Sequence, residues 1–191
     1  MKKVRLEDIL GFAAYEKVRQ ELRQDIIEKK KTRRVAVGDK VSMVFENRDT
    51  VIFQIQEMLR AEKIADLDKI REEIEVYNEL IPNSGELSAT MFIEIEDQDH
   101  LRDDLLKFLG IDKAVSLKIG PHVVPARFEE GHSKEDKISA VQYVRFPFDA
   151  AAQAAFVSGE KARLVIDHSN YRVEVTLAPE VQKSLAKDLA A

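Results

Sequence analysis

His168 and Tyr171 flank a short polar turn, and both side chains could do acid–base chemistry. Apolar residues alternate on either side of positions 169 and 170, which is typical of a β-hairpin with a two-residue loop. In that register His168 faces Tyr171 at the rim of the apolar face, and Asp167 faces Arg172 on the other face. The first pair could exchange protons or hold a ligand. The structural alternative, which we favour, is a histidine bonded to a loop carbonyl and covered by the tyrosine ring.

Gln142 and Arg145 fall on opposite faces of a predicted strand over 138–148. Gln142 is in step with the apolar positions, so its amide either braces backbone groups or faces a pocket. We favour bracing, because a buried amide without partners costs about 1–3 kcal/mol. Arg145 shares its face with Tyr143 and could bind an anion, although a solvated arginine with a packed stem is the commoner arrangement. The candidate binding residues are therefore His168, Tyr171, Gln142 and Arg145.

A predicted helix over 47–64 carries polar side chains beside its apolar stripe of Val51, Ile55, Met58 and Leu59. These polar side chains fall in two neighbouring stripes: Phe53, Gln56 and Arg60, and then Gln54, Glu57 and Ala61. They could line a cleft. We favour the interpretation that they are the solvated flank of an amphipathic helix.

The sequence predicts no metal or cofactor site. Glu129 and His132 have the spacing of a Glu-x-x-His ligand pair, and Asp97 and His100 have a similar spacing. A ferritin-like di-iron site needs two such motifs on long helices of a bundle, whereas this chain continues into strands. A mixed histidine and carboxylate site stays open but unsupported. The segment 38–40 lacks the flanking glycine and helix of a phosphate-binding loop.

Composition indicates a globular protein that can bury a core. Of 191 residues, 45% are hydrophobic and 34% are charged, and there is no cysteine, so thiol catalysis and disulfides are excluded. Residues 1–34 carry 11 Lys and Arg against 6 Asp and Glu, and the rest of the chain carries a net charge of −10. An acidic body argues against nucleic-acid binding. No apolar run reaches the length of a signal peptide or a membrane span, so we expect a cytoplasmic protein.

Periodicity predicts an α+β fold in one domain, 1–191, with a helical N-terminal half packed on a mainly antiparallel sheet from the C-terminal half. The predicted helices cover 15–34, 47–64, 67–80, 97–109 and 149–157, and a last one begins near Pro179. The predicted strands cover 35–45 as a hairpin, then 89–95, 115–119, 123–128, 138–148, 163–168 and 171–177.

The register of the first hairpin follows from its apolar positions. A three-residue loop over 38–40 pairs Val37 with Val41 and Val35 with Met43, which places apolar residues on one face. The basic run 29–34 precedes this hairpin. It could contact phosphates or an acidic partner, but cations at the C-terminal end of an exposed helix are explained by the helix dipole.

Several segments resemble a bacterial family catalogued as domain of unknown function 3501. They are FQIQEMLR at 53–60, YNELIP at 77–82, GELSAT at 85–90, SAVQYVRF at 139–146 and DH at 167–168. The resemblance covers nearly the whole chain and implies no activity or catalytic residues. It implies a context, because such genes often lie beside those for rubrerythrin and an iron–sulfur oxidoreductase.

Two functional hypotheses follow. The first is a non-catalytic accessory or adaptor protein, acting as a homo-oligomer, that works with a rubrerythrin-like or iron–sulfur redox partner. The second is a small-molecule-binding or metal-binding enzyme with a site at the sheet rim. The second requires the side chains of His168, Tyr171, Gln142 and Arg145 to converge around a pocket.

Overall fold

A computed structural model describes residues 1–95, 100–129, 133–134 and 137–190. In these ranges the α-helices are α1 (Phe12–Lys31), α2 (Arg48–Ala61), α3 (Leu67–Asn78), α4 (Leu101–Leu106), α5 (Ala150–Val157) and α6 (Pro179–Leu189). The strands are β1 (Arg34–Ala36), β2 (Val41–Phe45), β3 (Glu86–Ile93), β4 (Val115–Ile119), β5 (His122–Pro125), β6 (Arg127–Phe128), β7 (Ser133–Lys134), β8 (Lys137–Ile138), β9 (Val141–Pro147), β10 (Ala162–His168) and β11 (Tyr171–Thr176). Short 3₁₀ turns cover Leu6–Asp8 and Ile111–Lys113. This arrangement confirms the α+β class.

The longer strands form two antiparallel sheets. The first has the order β1-β2-β3-β9-β6, and the second has the order β11-β10-β4-β5. The predicted sheet is thus divided, because β9 joins the N-terminal strands while β10 and β11 join β4. Among the residues that the structure describes, β7 and β8 pair only with each other.

The two sheets share one hydrophobic core. Met43 and Phe146 contribute from the first sheet and Leu117 and Leu164 from the second, all fully buried. The last two helices pack on the same core through residues such as Phe156 and Leu185. Burial on both sides explains why β2 is apolar almost throughout.

Helices α2 and α3 and the N-terminal segment cover the other face of the first sheet, and α1 packs on α2. Val51, Ile55, Ile74 and Ile81 form a second apolar cluster there, and Tyr143 packs against it from β9. Asn47 caps α2 by accepting a hydrogen bond from the backbone of Thr50. In the described ranges, no helix has the length and apolar character needed to cross a bilayer.

The first hairpin has the predicted register, since Val35 pairs with Met43 and the amide of Val37 donates to the carbonyl of Val41 at 2.8 Å. The interpretation of the basic run is wrong at its end. Helix α1 ends at Lys31, and Arg33 is buried, with only 3% of its surface exposed. It donates to the carbonyls of Phe45 and Glu46 and pairs with Asp188 on α6. A buried guanidinium needs these acceptors because it keeps its charge.

Other predicted boundaries shift. The helix predicted over 97–109 begins at Leu101, and Asp97 lies outside the described residues. The strand predicted over 123–128 is two strands, because β5 pairs with β4 whereas β6 crosses to β9. The strand predicted over 138–148 begins as β9 at Val141.

Candidate functional site

His168 has both ring nitrogens engaged with backbone groups. Its Nε2 lies 2.8 Å from the carbonyl oxygen of Leu109, and the amide of Asn170 donates to its Nδ1 at 3.3 Å. Because Nδ1 accepts, the ring hydrogen sits on Nε2 and is donated to Leu109. The imidazole is 6% exposed. The side chain therefore joins the β10–β11 turn to the loop that follows α4. This bond to a loop carbonyl is the one that the structural alternative predicted.

Tyr171 is the cross-strand neighbour of His168, but its hydroxyl points to different partners. It donates to the carbonyl of Val37 at 2.6 Å and accepts from the amide of Lys40 at 3.1 Å. Burial raises the pKa of the phenol. The ring also packs on Phe108 with the ring centroids 5.4 Å apart. Tyr171 therefore ties the loop of the first hairpin to the second sheet.

Gln142 and Arg145 lie on opposite faces of β9, in the other sheet. The amide of Gln142 is 1% exposed and donates to the carbonyl of Ser139 at 2.8 Å, so it braces backbone as expected. Arg145 is paired with the carboxylate of Glu86 and the carbonyl of Glu79. Its guanidinium is thus committed to neighbouring groups instead of being solvated. Of the four candidates, only His168 and Tyr171 are brought side by side.

Metal ligation finds no support in the described ranges. No group of three histidine, aspartate or glutamate residues clusters there. Two pairs have the spacing of metal ligands in the sequence, Glu129 with His132 and Asp97 with His100. His132 and Asp97 lie outside the described residues.

The polar flank of α2 is only partly solvated, because Gln56 is buried and Glu57 is half-buried, which corrects the interpretation of its stripes. Gln56 is 4% exposed and exchanges two hydrogen bonds with the backbone of Leu10, at 2.6 and 3.1 Å. Glu57 accepts from the hydroxyl of Tyr15 at 2.6 Å and from the guanidinium of Arg19 at 2.7 and 2.8 Å. The hydrogen bonds from Arg19 hold the pKa of Glu57 at about 2. The segment before α1 therefore covers Gln56, and α1 itself covers Glu57.

The pairing of Glu57 with the first turns of α1, and of Asp49 with Lys29 near its end, shows that α1 and α2 run antiparallel. A groove of about 320 Å³ lies between them and is closed on the third side by the N-terminal segment. Its apolar wall consists of Leu10, Leu22, Ile26, Ile52 and Phe53. We call this feature the α1–α2 groove.

The rim of the α1–α2 groove is acidic. Asp8, Asp25 and Asp49 line it together with a single cation, Lys29. Asp8 pairs with Arg48 at 2.6 Å, and this hydrogen bond lowers the pKa of its carboxyl. Asp25 has no ion pair within the part of the chain that the structure describes. The groove therefore offers an apolar wall with one uncompensated carboxylate beside it.

Exposed apolar surface continues at the mouth of the groove. Leu10, which lines it, is 41% exposed, and Phe12, at the start of α1, is 57% exposed. Only Tyr15 and Ile26 of the twenty residues of α1 are buried. A long helix with so little buried surface, next to an apolar groove, is typical of an interaction surface. Sequence periodicity predicted the helix over 15–34 but had no signal for the neighbouring segment around Leu10.

The fold is that of an α+β protein, in which helices pack on two antiparallel sheets. Comparisons with known proteins agree with it. The model of the family described as "Protein of unknown function (DUF3501)" matches residues 3–189. The chain belongs to this family, as its sequence segments indicated.

A crystal structure of a protein of unknown function from Burkholderia pseudomallei K96243 is similar over almost the whole chain. The TM-score is 0.93 and the sequence identity is 33%, over 98% of this chain and 100% of that one. None of the curated proteins matches the chain significantly.

Proposed function

We propose that this protein is a non-catalytic adaptor that binds a partner protein through the α1–α2 groove. The observation that carries the proposal is the apolar wall of the groove, which opens to solvent between two helices and lies beside the uncompensated Asp25. Grooves of this kind accept an amphipathic segment, whose apolar side chains fill the wall. The engagement of His168 and Tyr171 with backbone groups supports a binding role over a catalytic one.

The chemistry of the groove specifies what its partner carries. Leucine, isoleucine and phenylalanine side chains form the wall, so the partner contributes apolar side chains at helical spacing. Asp25 then attracts a lysine or arginine on the polar side of that segment. We infer an amphipathic, basic segment as the occupant.

The class of partner rests on the gene neighbourhood that the family resemblance implies. A rubrerythrin-like protein or an iron–sulfur oxidoreductase is accordingly the proposed partner, and bacterial redox or peroxide metabolism is the proposed setting. The adaptor acts as a homo-oligomer in this proposal. The partner class, the metabolic setting and the homo-oligomer are independent of the groove. Finding a partner of another class would therefore not contradict the proposed docking site.

Co-purification from the native host tests both parts of the proposal. Tagged wild-type protein should capture a redox enzyme or its electron carrier in near-stoichiometric amount. Leu22→Glu, which places a charge in the apolar wall, and Asp25→Lys, which reverses the exposed charge, should each lower capture roughly tenfold. Val123→Glu is the matched control, because Val123 is 58% exposed on β5, away from the groove. Capture of neither redox protein by the wild type would remove the basis for the partner class.

The alternative function is an enzyme at the sheet rim that uses His168 and Tyr171. We place it second because both side chains make hydrogen bonds to main-chain groups. Metal analysis of purified protein tests it, since stoichiometric iron or zinc would favour this function over the adaptor role.

A further inference from the structure

A second hollow, of about 520 Å³, lies at the opposite end of the chain from the α1–α2 groove. It is formed where the C-terminal end of α5 meets the first turns of α6. Phe156, Val157, Leu177 and Ala186 supply its apolar wall. We call it the α5–α6 hollow. Its volume falls in the range of small-molecule sites.

Gln182 holds the two sides of the hollow together. Its side-chain amide donates to the carbonyl of Phe156 at 3.0 Å and to the carbonyl of Glu160 at 2.7 Å. Both acceptors belong to the end of α5 and the turn after it, where helix carbonyls have no partner within the helix. The amide is 7% exposed. The wall is therefore built and fixed by hydrogen bonds, so it does not depend on a ligand for its shape.

Two lysines give the hollow its charge. Lys161 and Lys183 line it, and neither has an ion pair within the described ranges of the chain. No aspartate or glutamate is among the lining residues. In a protein whose net charge is −5, this site combines apolar surface with two uncompensated positive charges. An apolar wall beside ammonium groups is complementary to an amphiphile with a negative head.

We propose that the α5–α6 hollow binds a small amphiphilic carboxylate, such as a medium-chain fatty acid. The alkyl chain lies against Phe156, Val157 and Leu177, and the carboxylate contacts the ammonium groups of Lys161 and Lys183. A small molecule is the proposed occupant because the volume of the hollow, about 520 Å³, lies in the range of small-molecule sites. This site is independent of the adaptor function.

Titration calorimetry with octanoate tests the proposal on the full-length protein. Octanoate should bind saturably, and hexanoate should bind roughly tenfold more weakly because it buries two fewer methylene groups. Octylammonium, which has the same chain and the opposite charge, should not bind. Equal binding of octanoate and octylammonium, or no saturable binding of octanoate, would overturn the proposal.

Variants locate the binding. The double variant Lys161→Gln/Lys183→Gln should weaken octanoate roughly tenfold or more, and Ala186→Trp should abolish binding by filling the wall. Lys187→Gln is the control, because this exposed lysine is one turn from Lys183 but does not line the hollow. Thermal unfolding of each variant separates loss of the site from loss of the fold. Unchanged octanoate affinity in folded Ala186→Trp would place the ligand elsewhere and refute the assignment.

Discussion

Lys29 of α1 donates a 2.6 Å hydrogen bond to Asp49 of α2 and so joins two walls of the α1–α2 groove. Along α1 itself, Lys29 follows Asp25 by four residues, which is the favourable spacing for an ion pair within a helix. The structure uses the lysine across the helices instead. Within the described residues Asp25 consequently has no ion pair. In our proposal a basic side chain of the partner contacts its carboxylate at the rim.

Asp49→Asn should weaken partner capture even though the partner never needs to touch residue 49. Once Asp49 is neutral, Lys29 is free to pair with Asp25 and to cancel the charge at the rim. The pair is about half exposed on both sides, so the free energy of unfolding should change by less than about 1 kcal/mol. Capture and unfolding are measured on the same preparations.

Glu28→Gln provides the control for that experiment, because it removes the similarly exposed Glu28–Lys31 pair of α1, which does not line the groove. Capture should be unchanged in this variant. Equal losses in Asp49→Asn and Glu28→Gln would mean that overall charge, and not the rim, governs binding.

Glu57→Gln should destabilise the protein by about 1–3 kcal/mol at neutral pH, because two charge-assisted contacts and the partner of the buried Tyr15 hydroxyl are weakened together. The effect should depend on pH. Since the folded pKa of Glu57 is lowered from 4.5 to about 2, its contribution is fully present above pH 4.5 and is lost as the pH falls toward 2.

Urea unfolding of the wild type and Glu57→Gln across this pH range measures the contribution. The difference in the free energy of unfolding should shrink steadily below pH 4.5. Glu16→Gln, which breaks the more exposed pair with Arg60, should cost less and vary less with pH. A difference between wild type and Glu57→Gln that stays constant down to the acid limit would contradict the assigned pairing.

Tyr171→Phe should cost about 1–2 kcal/mol and should speed amide hydrogen exchange at Lys40, whose N–H loses its acceptor. The Phe108 contact is kept, so the core should stay packed. Hydrogen exchange followed by NMR resolves the loop from the rest of the hairpin. Unchanged protection at Lys40 would show that the hydroxyl does not hold this loop.

Gly38→Ala should be destabilising for two reasons that a double-mutant cycle separates. Gly38 has φ +82°, which disfavours any side chain, and an added Cβ would lie 2.3 Å from the hydroxyl oxygen of Tyr171. The cost of Gly38→Ala should therefore be smaller in a Tyr171→Phe background. Equal costs in the two backgrounds would show that the contact with the Tyr171 hydroxyl contributes nothing to the cost.

Local patterning was enough to predict the hairpins. The pairing of His168 with Tyr171, and of Val35 with Met43, follows from alternation and loop length alone. The partners of these side chains did not follow, because Tyr171 bonds to Val37, which is 134 residues earlier. Such contacts depend on how the two sheets pack, and the periodicity of a single segment does not show that packing.

Charged residues were harder to place than apolar ones. Arg33 belongs to a run of basic residues and looks like a helix-end cation, yet it is buried against Asp188 on α6. Gln56 and Glu57 resemble a solvated flank in the sequence, but the N-terminal segment covers Gln56 and α1 covers Glu57. In both cases the sequence of one segment does not show which other segment packs on it. The α1–α2 groove could therefore be found only in the three-dimensional structure.

Amide hydrogen exchange of the protein alone and with its captured partner tests the central claim most directly. Binding in the α1–α2 groove predicts slower exchange on partner addition in 8–29 and 49–56, with no change in β10 and β11. Protection confined to the His168 and Tyr171 hairpin, or absent from α1 and α2 in a complex that demonstrably forms, would contradict the account.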